Sequence, residues 1–430
     1  MMSRILMSLC LAGALLQSAV AAPLPLANSL DVEKESAIAF DPDGNRGLVV
    51  YVQNDYVYGR YVDGEGRPTS TPVFGIFPVL HPTRNRRYSK PSVTFKRGQN
   101  RFVIAAEETE TRILNLPDGP LALTFPSGIA VTAFNADGMR AASRFLHTPI
   151  ASASRNEKRP VVVADEMSDA CCIAVAWEDE TYARKLYVQR MDADLLPQGA
   201  IAEIAPASAE RIANIGAVYE LSRDRFTFVY DMVDAASRRW VATSSMSAFT
   251  GGSVRSRTVA ERSGHGERIG DLPRGTPTVV HSEGLDAYLV AWRVGNGLRA
   301  AFLPPEITGT VSASFAIPTS APCTTPPFCF FLSPTTSARP ALVNAPGTRR
   351  VYVLAAMNPL LGDGPAVLGV YAIDSTLVTS VTPYLASISR ASDGGALSAA
   401  AVWSPSARRI IAAWDSAGPT RDVYVGDLPL

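Results

Sequence analysis

The chain has 430 residues, with 40 lysines and arginines balanced by 40 aspartates and glutamates. That balance argues against a dedicated nucleic-acid binder, and the length exceeds a usual single compact core, so two domains or a repeat architecture is expected. No stretch reaches the 18 or so uninterrupted apolar residues of a membrane helix, which argues against membrane insertion.

The N-terminus, MMSRILMSLCLAGALLQSAVAAPLPL, sets Arg4 before an apolar run from Ile5 to Leu16, with small residues at Ala19 and Ala21. This pattern predicts a secretory signal peptide over residues 1–21, an exported protein, and a secreted or periplasmic location. The remaining 22–430 read as one domain built from a repeat. A β-rich apolar run recurs seven times: LVVY from Leu48, FVIAA from Phe102, IAVAW from Ile173, FTFVY from Phe226, YLVAW from Tyr288, VYVLAA from Val351 and IIAAW from Ile410. The runs stand about 60 residues apart, the length of a four-stranded propeller blade.

Each run follows a polar turn, in order DPDGNR, KRGQN, DEMSDA, LSRDR, SEGLDA, APGTRR and SPSARR. Such Gly, Asn, Asp and Ser clusters tolerate positive φ or bond their own backbone, as hairpin turns require. Inner strands precede the turns (SAIAF, PSVTF, PVVVA, IGAVY, PTVVH, PALVN, AAAVW), and third strands follow the apolar runs. Fourth strands are plain at Val73 to Phe77 and Ser314 to Ile317 and weak elsewhere. The fold expected is all-β, a seven-bladed β-propeller of four-stranded antiparallel blades at roughly 35–77, 90–147, 159–205, 214–260, 276–317, 339–386 and 398–430. The last blade runs out of chain after its third strand, so residues 24–32 are expected to close the ring as its missing outer strand.

YVYGRYVDGEGRP and LYVQRMDADLLPQG, each following a strand like YLVAW, resemble repeats of secreted bacterial β-propeller proteins, in which YLVVW leads into a YGQR-x-D-x-DG phrase. The resemblance is good in blades one, three and five, fair in six and seven, and poor in two and four. It implies the fold and transfers no catalytic residue.

Function is sought at the channel mouth. Long connections enter the inner strands at Pro78 to Lys90, Thr148 to Arg159, Glu261 to Thr276 and Pro318 to Arg339, and blade two adds EETETRILNLPDGPLALTFPSG as a flap over the same face. Pro91, Pro160, Pro277 and Pro340 open four inner strands, a position that tolerates a missing donor. Aligned there, the preceding residues are Glu35, Lys90, Arg159, Asn214, Thr276, Arg339 and Ser398, of which the first six are the candidate ligand-binding residues. Three cations and one carboxylate in a concave mouth would favour an anionic glycan. A second basic group, His81, Arg84, Arg86, Arg87 and Lys90, is expected to be offset by Glu107 to Glu110.

Enzyme signatures are thin. The chain lacks a G-x-S-x-G elbow, an H-E-x-x-H motif and paired histidines that would hold zinc. The turn DPDGNRG lacks the distal glutamate of a calcium loop, so neither a metal nor a cofactor is expected. Cys323 and Cys329 share one Pro/Thr-rich loop and are expected to form a disulfide, whereas adjacent Cys171 and Cys172 read either as buried thiols or as a vicinal bridge. The reading is a monomeric, non-enzymatic scaffold binding a glycan or an extracellular protein. The alternative is a glycoside hydrolase or polysaccharide lyase drawing on Glu35, Glu107, Glu178, Asp179 and Asp231.

Overall fold

The computed structural model describes residues 24–26, 33–77, 84–116, 119–125, 127–146, 156–166, 171–180, 185–204, 209–234, 239–251, 255–261, 277–294, 297–306, 314–317, 332–334, 339–359, 367–373, 381–387, 396–416 and 422–429. They form a seven-bladed β-propeller of four-stranded antiparallel blades. Blade three shows the unit plainly: an inner strand Glu157–Ala164, a second strand Cys171–Asp179, a third strand Lys185–Asp192 and a two-residue outer strand Ala202–Glu203. The outer strands of blades one and seven are just as short, Phe74–Gly75 and Leu24–Pro25, too brief to leave a sequence period.

The core consists of seven wedges, one at each junction between neighbouring blades. Because side chains alternate along a strand, the second strand of blade one sends Leu48, Val50 and Val52 toward blade two and Val49 and Tyr51 toward blade seven. Both faces are covered, so these strands read as unbroken apolar runs rather than alternating ones. Trp177, Trp292 and Trp414, which close three of the runs, are fully buried in such wedges.

The hairpin turns follow their chemistry. In blades two, four and five a single 3-10 turn ends on Asn100, Asp224 or Asp286, with φ of 50°, 45° and 43°, a left-handed conformation that Asn and Asp accept more readily than other side chains. In DPDGNRG, Asp41 Oδ1 accepts the amides of Asp43 and Gly44 at 3.0 and 2.8 Å, which makes the segment a self-bonded turn.

Blade two departs from the expected loops. The second strand runs from Arg101 to Leu116, and Gly119–Thr124 folds back on it, so the connection read as a flap is a β-hairpin. The end of the entry loop is also strand: Arg84 to Ser89 pair with Arg112 to Glu107. Alternating Arg and Glu side chains stabilise that ladder, with Arg86 Nε 3.4 Å from Glu108 and Arg86 Nη2 3.4 Å from Glu110. Of the basic group expected to be offset by these acids, Arg86 is so offset, whereas Arg87 meets Asp55 and Lys90 meets Glu35 of blade one. The hairpin leaves Ile113, Leu114, Leu121 and Leu123 exposed.

The ring is closed by the N-terminal strand. Leu24 pairs with Val425 and Pro25 with Tyr424, while the Leu26 amide donates to the Val423 carbonyl at 3.0 Å. Leu26 is fully buried among Ile38, Val49, Val62 and Ile411, and the Arg60 guanidinium donates to its carbonyl. Residues 1–23, which contain the expected signal peptide, and 27–32 lie outside the described residues. Among the described residues no helix is long and apolar enough to cross a membrane. Leu26→Ala is expected to cost about 3 kcal/mol in denaturant unfolding. A chain beginning at Asp31 should melt several degrees below full length and self-associate through the uncovered edge of Val423–Pro429; equal melting temperatures would contradict the closure.

Candidate functional site

The inner strand of each of the first four blades carries one extra residue. Lys34 pairs with Val52 but Ala37 with Val50, and the same slip separates Ser89 from Ser92, Lys158 from Val161 and Ala213 from Gly216. At each bulge one residue is left-handed: Glu35, Lys90, Arg159 and Asn214, with φ of 60°, 51°, 49° and 60°. None is glycine, so each conformation must be held from outside. These are the residues picked out by alignment on the proline position.

What holds them is a carboxylate from a neighbouring blade. Asp415, at the end of blade seven's second strand, accepts the Glu35 amide at 2.7 Å, the Ser36 amide at 3.0 Å and the Ser36 hydroxyl at 2.7 Å. Glu178 of blade three accepts the Asn214 amide of blade four, and Glu107 of blade two accepts the Arg159 backbone amide of blade three. Blade one has Val52 at this position. There the Glu35 side chain takes over, with Oε2 accepting the Lys90 amide at 2.7 Å and Oε1 the Lys90 ammonium. An amide expelled from a ladder needs an acceptor, and an ionised one makes a strong bond.

The bulges surround a central cavity of about 440 Å³ lined by Glu35, Lys90, Arg159, Asn214 and Arg339. Its deeper wall is apolar, with Ile38, Val93, Val162, Ile215, Val279 and Leu342. Thr276 lies outside the described residues, although Thr278 of the same strand lines the cavity. The expected cation-rich ring is corrected by the pairing. Lys90 is tied to Glu35, and Arg159 Nη1 lies 2.8 Å from Glu178 and 3.3 Å from Glu180. Asn214 Nδ2 donates to Asp231 at 3.0 Å.

Arg339 differs. Blade five offers Arg293 where blades two, three, four and seven carry a carboxylate, and among the described residues no acceptor or acid meets the Arg339 guanidinium. Burial alone pushes its pKa down to about 10, still far enough above neutrality to keep the charge. The channel therefore holds a half-buried, uncompensated fork of N–H donors beside Pro340 and Leu342.

Four of the acids named for a catalytic alternative, Glu35, Glu107, Glu178 and Asp231, have structural duties. Glu178 is fully buried on Arg159 and the Asn214 amide. Burial raises its pKa to about 7, opposed by Arg159 and the Asn214 amide, and burial likewise raises Glu107 against Lys158 and the Arg159 amide. Asp415, the carboxylate with three bonds across the ring closure, is not among the acids that the sequence motifs single out. A signal exists in the sequence, since a carboxylate directly follows four of the seven apolar runs or their closing aromatic: Glu107, Glu178, Asp231 and Asp415.

Elsewhere, Lys96 is fully buried and its ammonium bonds Asp165 Oδ1 at 2.9 Å and the Cys171 carbonyl at 2.8 Å. The sulfurs of Cys171 and Cys172 are in contact. Cys323 and Cys329 lie outside the described residues, as do His81, His147 and His265. His281 is buried 3.7 Å from Glu220, at the opposite end of its strand from the mouth. Burial lowers its pKa despite the nearby Glu220. Among the described residues no group of His, Cys, Asp or Glu could hold a metal ion.

Asp415→Ala strands two backbone amides and a hydroxyl and is expected to lower unfolding stability by about 3 kcal/mol in chemical denaturation. Glu178 binds its proton more tightly when folded, so its contribution is fully present below pH 4.5 and fades as pH rises through about 7. Stability measured from pH 4.5 to 7 should therefore fall relative to Glu178→Gln, and parallel profiles would contradict the shifted carboxyl.

No protein-family model and no curated protein matches this chain. Solved structures share its fold at low identity. One titled "Hadza microbial sialidase Hz136" has a TM-score of 0.50 and 13% identity, covering 89% of this chain and 76% of that one. Another, "Structure of a new family of Polysaccharide lyase PL25-Ulvanlyase", has a TM-score of 0.51 and 10% identity, covering 94% and 93%. The likeness extends over nearly the whole propeller, and at these identities it is a likeness of fold.

Proposed function

We propose that this chain is an exported propeller that binds an anionic glycan at its channel mouth, with Arg339 engaging a carboxylate or sulfate of one sugar unit. The carrying observation is the cavity itself: Lys90 and Arg159 on its wall are neutralised in place, whereas the Arg339 guanidinium lines it with no acid among the described residues. A partly desolvated charge is costly to keep unpaired, and an incoming anion would offset that cost with a bidentate contact. A volume near 440 Å³ suits a small ligand or the end of an oligosaccharide. Two neighbours in fold are named for acting on sialic acid and on the polysaccharide ulvan, which supports a sugar over a protein partner.

A hydrolase or lyase on the same face is the second reading. A hydrolase needs two carboxylates about 5 to 10 Å apart and free to exchange protons. Asp415 and Glu35, the described carboxylates lining the cavity, are both committed to holding bulges. Binding without turnover is the reading these commitments favour.

Titration with a tetrasaccharide of galacturonic acid, followed calorimetrically, should give saturable binding that Arg339→Met weakens at least tenfold. The same substitution should leave the free protein at least as stable as the parent, because it removes an unpaired, half-buried charge. Lys90→Ala should change affinity much less, since its ammonium already serves Glu35. Undiminished binding by Arg339→Met would overturn the proposal, and release of shortened or unsaturated products would favour the enzyme.

A further inference from the structure

The opposite end of the propeller, where inner and second strands are joined, holds a second cleft. It lies between the hairpin turns of blades six and seven, measures about 720 Å³ and is lined by Arg349, Arg350, Arg408, Trp403 and Pro405 among others. All three arginines are exposed, and Trp403 is half-buried, packed in part against the wedge between the two blades.

The charge pattern sets this cleft apart. At the same end of other blades, cations meet acids from an adjacent turn. Arg97 of blade two bonds Asp43 of blade one at 2.8 and 2.7 Å, Arg101 bonds Asp194 of blade three at 3.0 Å, and Arg223 of blade four lies 3.2 Å from Asp286 of blade five. The turns APGTRR and SPSARR carry four arginines and no acid; Arg409 pairs with Asp427 of the next strand, which leaves Arg349, Arg350 and Arg408 on the cleft. Among the described residues none of the three guanidiniums has a carboxylate or hydrogen-bond partner. Three like charges on adjacent turns repel, and an anion between them would relieve that repulsion.

Both turns are fixed. The Thr348 hydroxyl donates to the Ala345 carbonyl at 2.8 Å and accepts the Arg350 amide at 3.1 Å. Gly284 of blade five sits so close that a Cβ there would collide with the Thr348 carbonyl. Ser406 of the other turn bonds the Asn45 side chain of blade one. Arg408 is itself left-handed, with φ of 52°. The cations therefore stand on a rigid frame around one aromatic ring, which lowers the ordering cost of binding.

We propose that this cleft is a second ligand site, specific for an oligosaccharide bearing carboxylate or sulfate groups, with the arginines on the anions and Trp403 against a sugar ring. An indole face beside a proline is a platform for a flat, partly apolar ring, which an extended acidic peptide would leave uncovered. The site is separate from the channel and does not depend on the reading of Arg339.

The test is calorimetric titration of the full chain with a galacturonate tetrasaccharide, a heparin-derived tetrasaccharide, a neutral cello-oligosaccharide of equal length, and a glutamate tetrapeptide. Arg339→Met supplies a background with the channel site weakened, and Arg349→Ala/Arg350→Ala/Arg408→Ala removes the cleft cations from exposed positions. In the Arg339→Met background at least one anionic sugar should bind, tenfold or more weakly once the triple substitution is added, and more weakly as salt rises. The uronate and sulfate arms show which anion is preferred. Unchanged affinity in the triple variant overturns the cleft, as does equal binding of the neutral sugar. Tighter binding of the glutamate peptide overturns the saccharide assignment. Loss of all binding in Arg339→Met alone also overturns the cleft while leaving the channel reading in place.

Discussion

A bulge in an inner strand pushes one backbone amide out of its ladder, and the remainder of the ring is arranged to receive it. In this propeller the acceptor is a carboxylate from the blade before: Asp415 for Glu35, Glu35 for Lys90, Glu107 for Arg159 and Glu178 for Asn214. The apolar wedges supply the bulk of the burial, yet apolar contact is non-directional and does not specify how one blade is turned against the next. The charged acceptor does, because it must meet a particular N–H at hydrogen-bond distance. The clasp across the ring closure joins residues 380 positions apart, so it forms only when the ring is complete.

The same clasps decide the electrostatics of the cavity. Glu35 holds the Lys90 amide and neutralises the Lys90 ammonium as well. Arg159 is neutralised instead by Glu178, the carboxylate that holds the Asn214 amide of the next blade. Where the preceding blade carries Arg293 instead of an acid, the bulk of the channel has no means to neutralise Arg339, and the field of the mouth is concentrated on one side. The far end follows the same logic from turn to turn: acids at Asp43, Asp194 and Asp286 meet arginines of adjacent blades, and the junction of blades six and seven stands out because both turns are basic.

Much of this was legible. The unbroken apolar second strands betray burial on both faces, and the missing outer strand of the last blade pointed to Leu24–Pro25. The ring residues could be located because Pro91, Pro160 and Pro340 mark where the inner strands open. In blade two, Arg84 to Ser89 and Glu107 to Arg112 read as loop in the sequence because they are highly charged, yet they pair as strands. That composition suits a ladder whose stability comes from cross-strand ion pairs rather than burial. Asp415 escaped because a carboxylate at a strand end looks like ordinary solvation when its partner lies at the far end of the chain.

The sequence by itself determined the number of blades, the closure of the ring and the identity of the side chains at the mouth, since these follow from local periodicity, turn chemistry and proline placement. The tertiary structure alone decided which of those side chains keep a free charge. Charge pairing here runs across strands and blades, over 19 residues within blade three for Arg159–Glu178 and 55 residues between blades one and two for Lys90–Glu35, and no local pattern reveals which acid stands beside which base once the ring has closed.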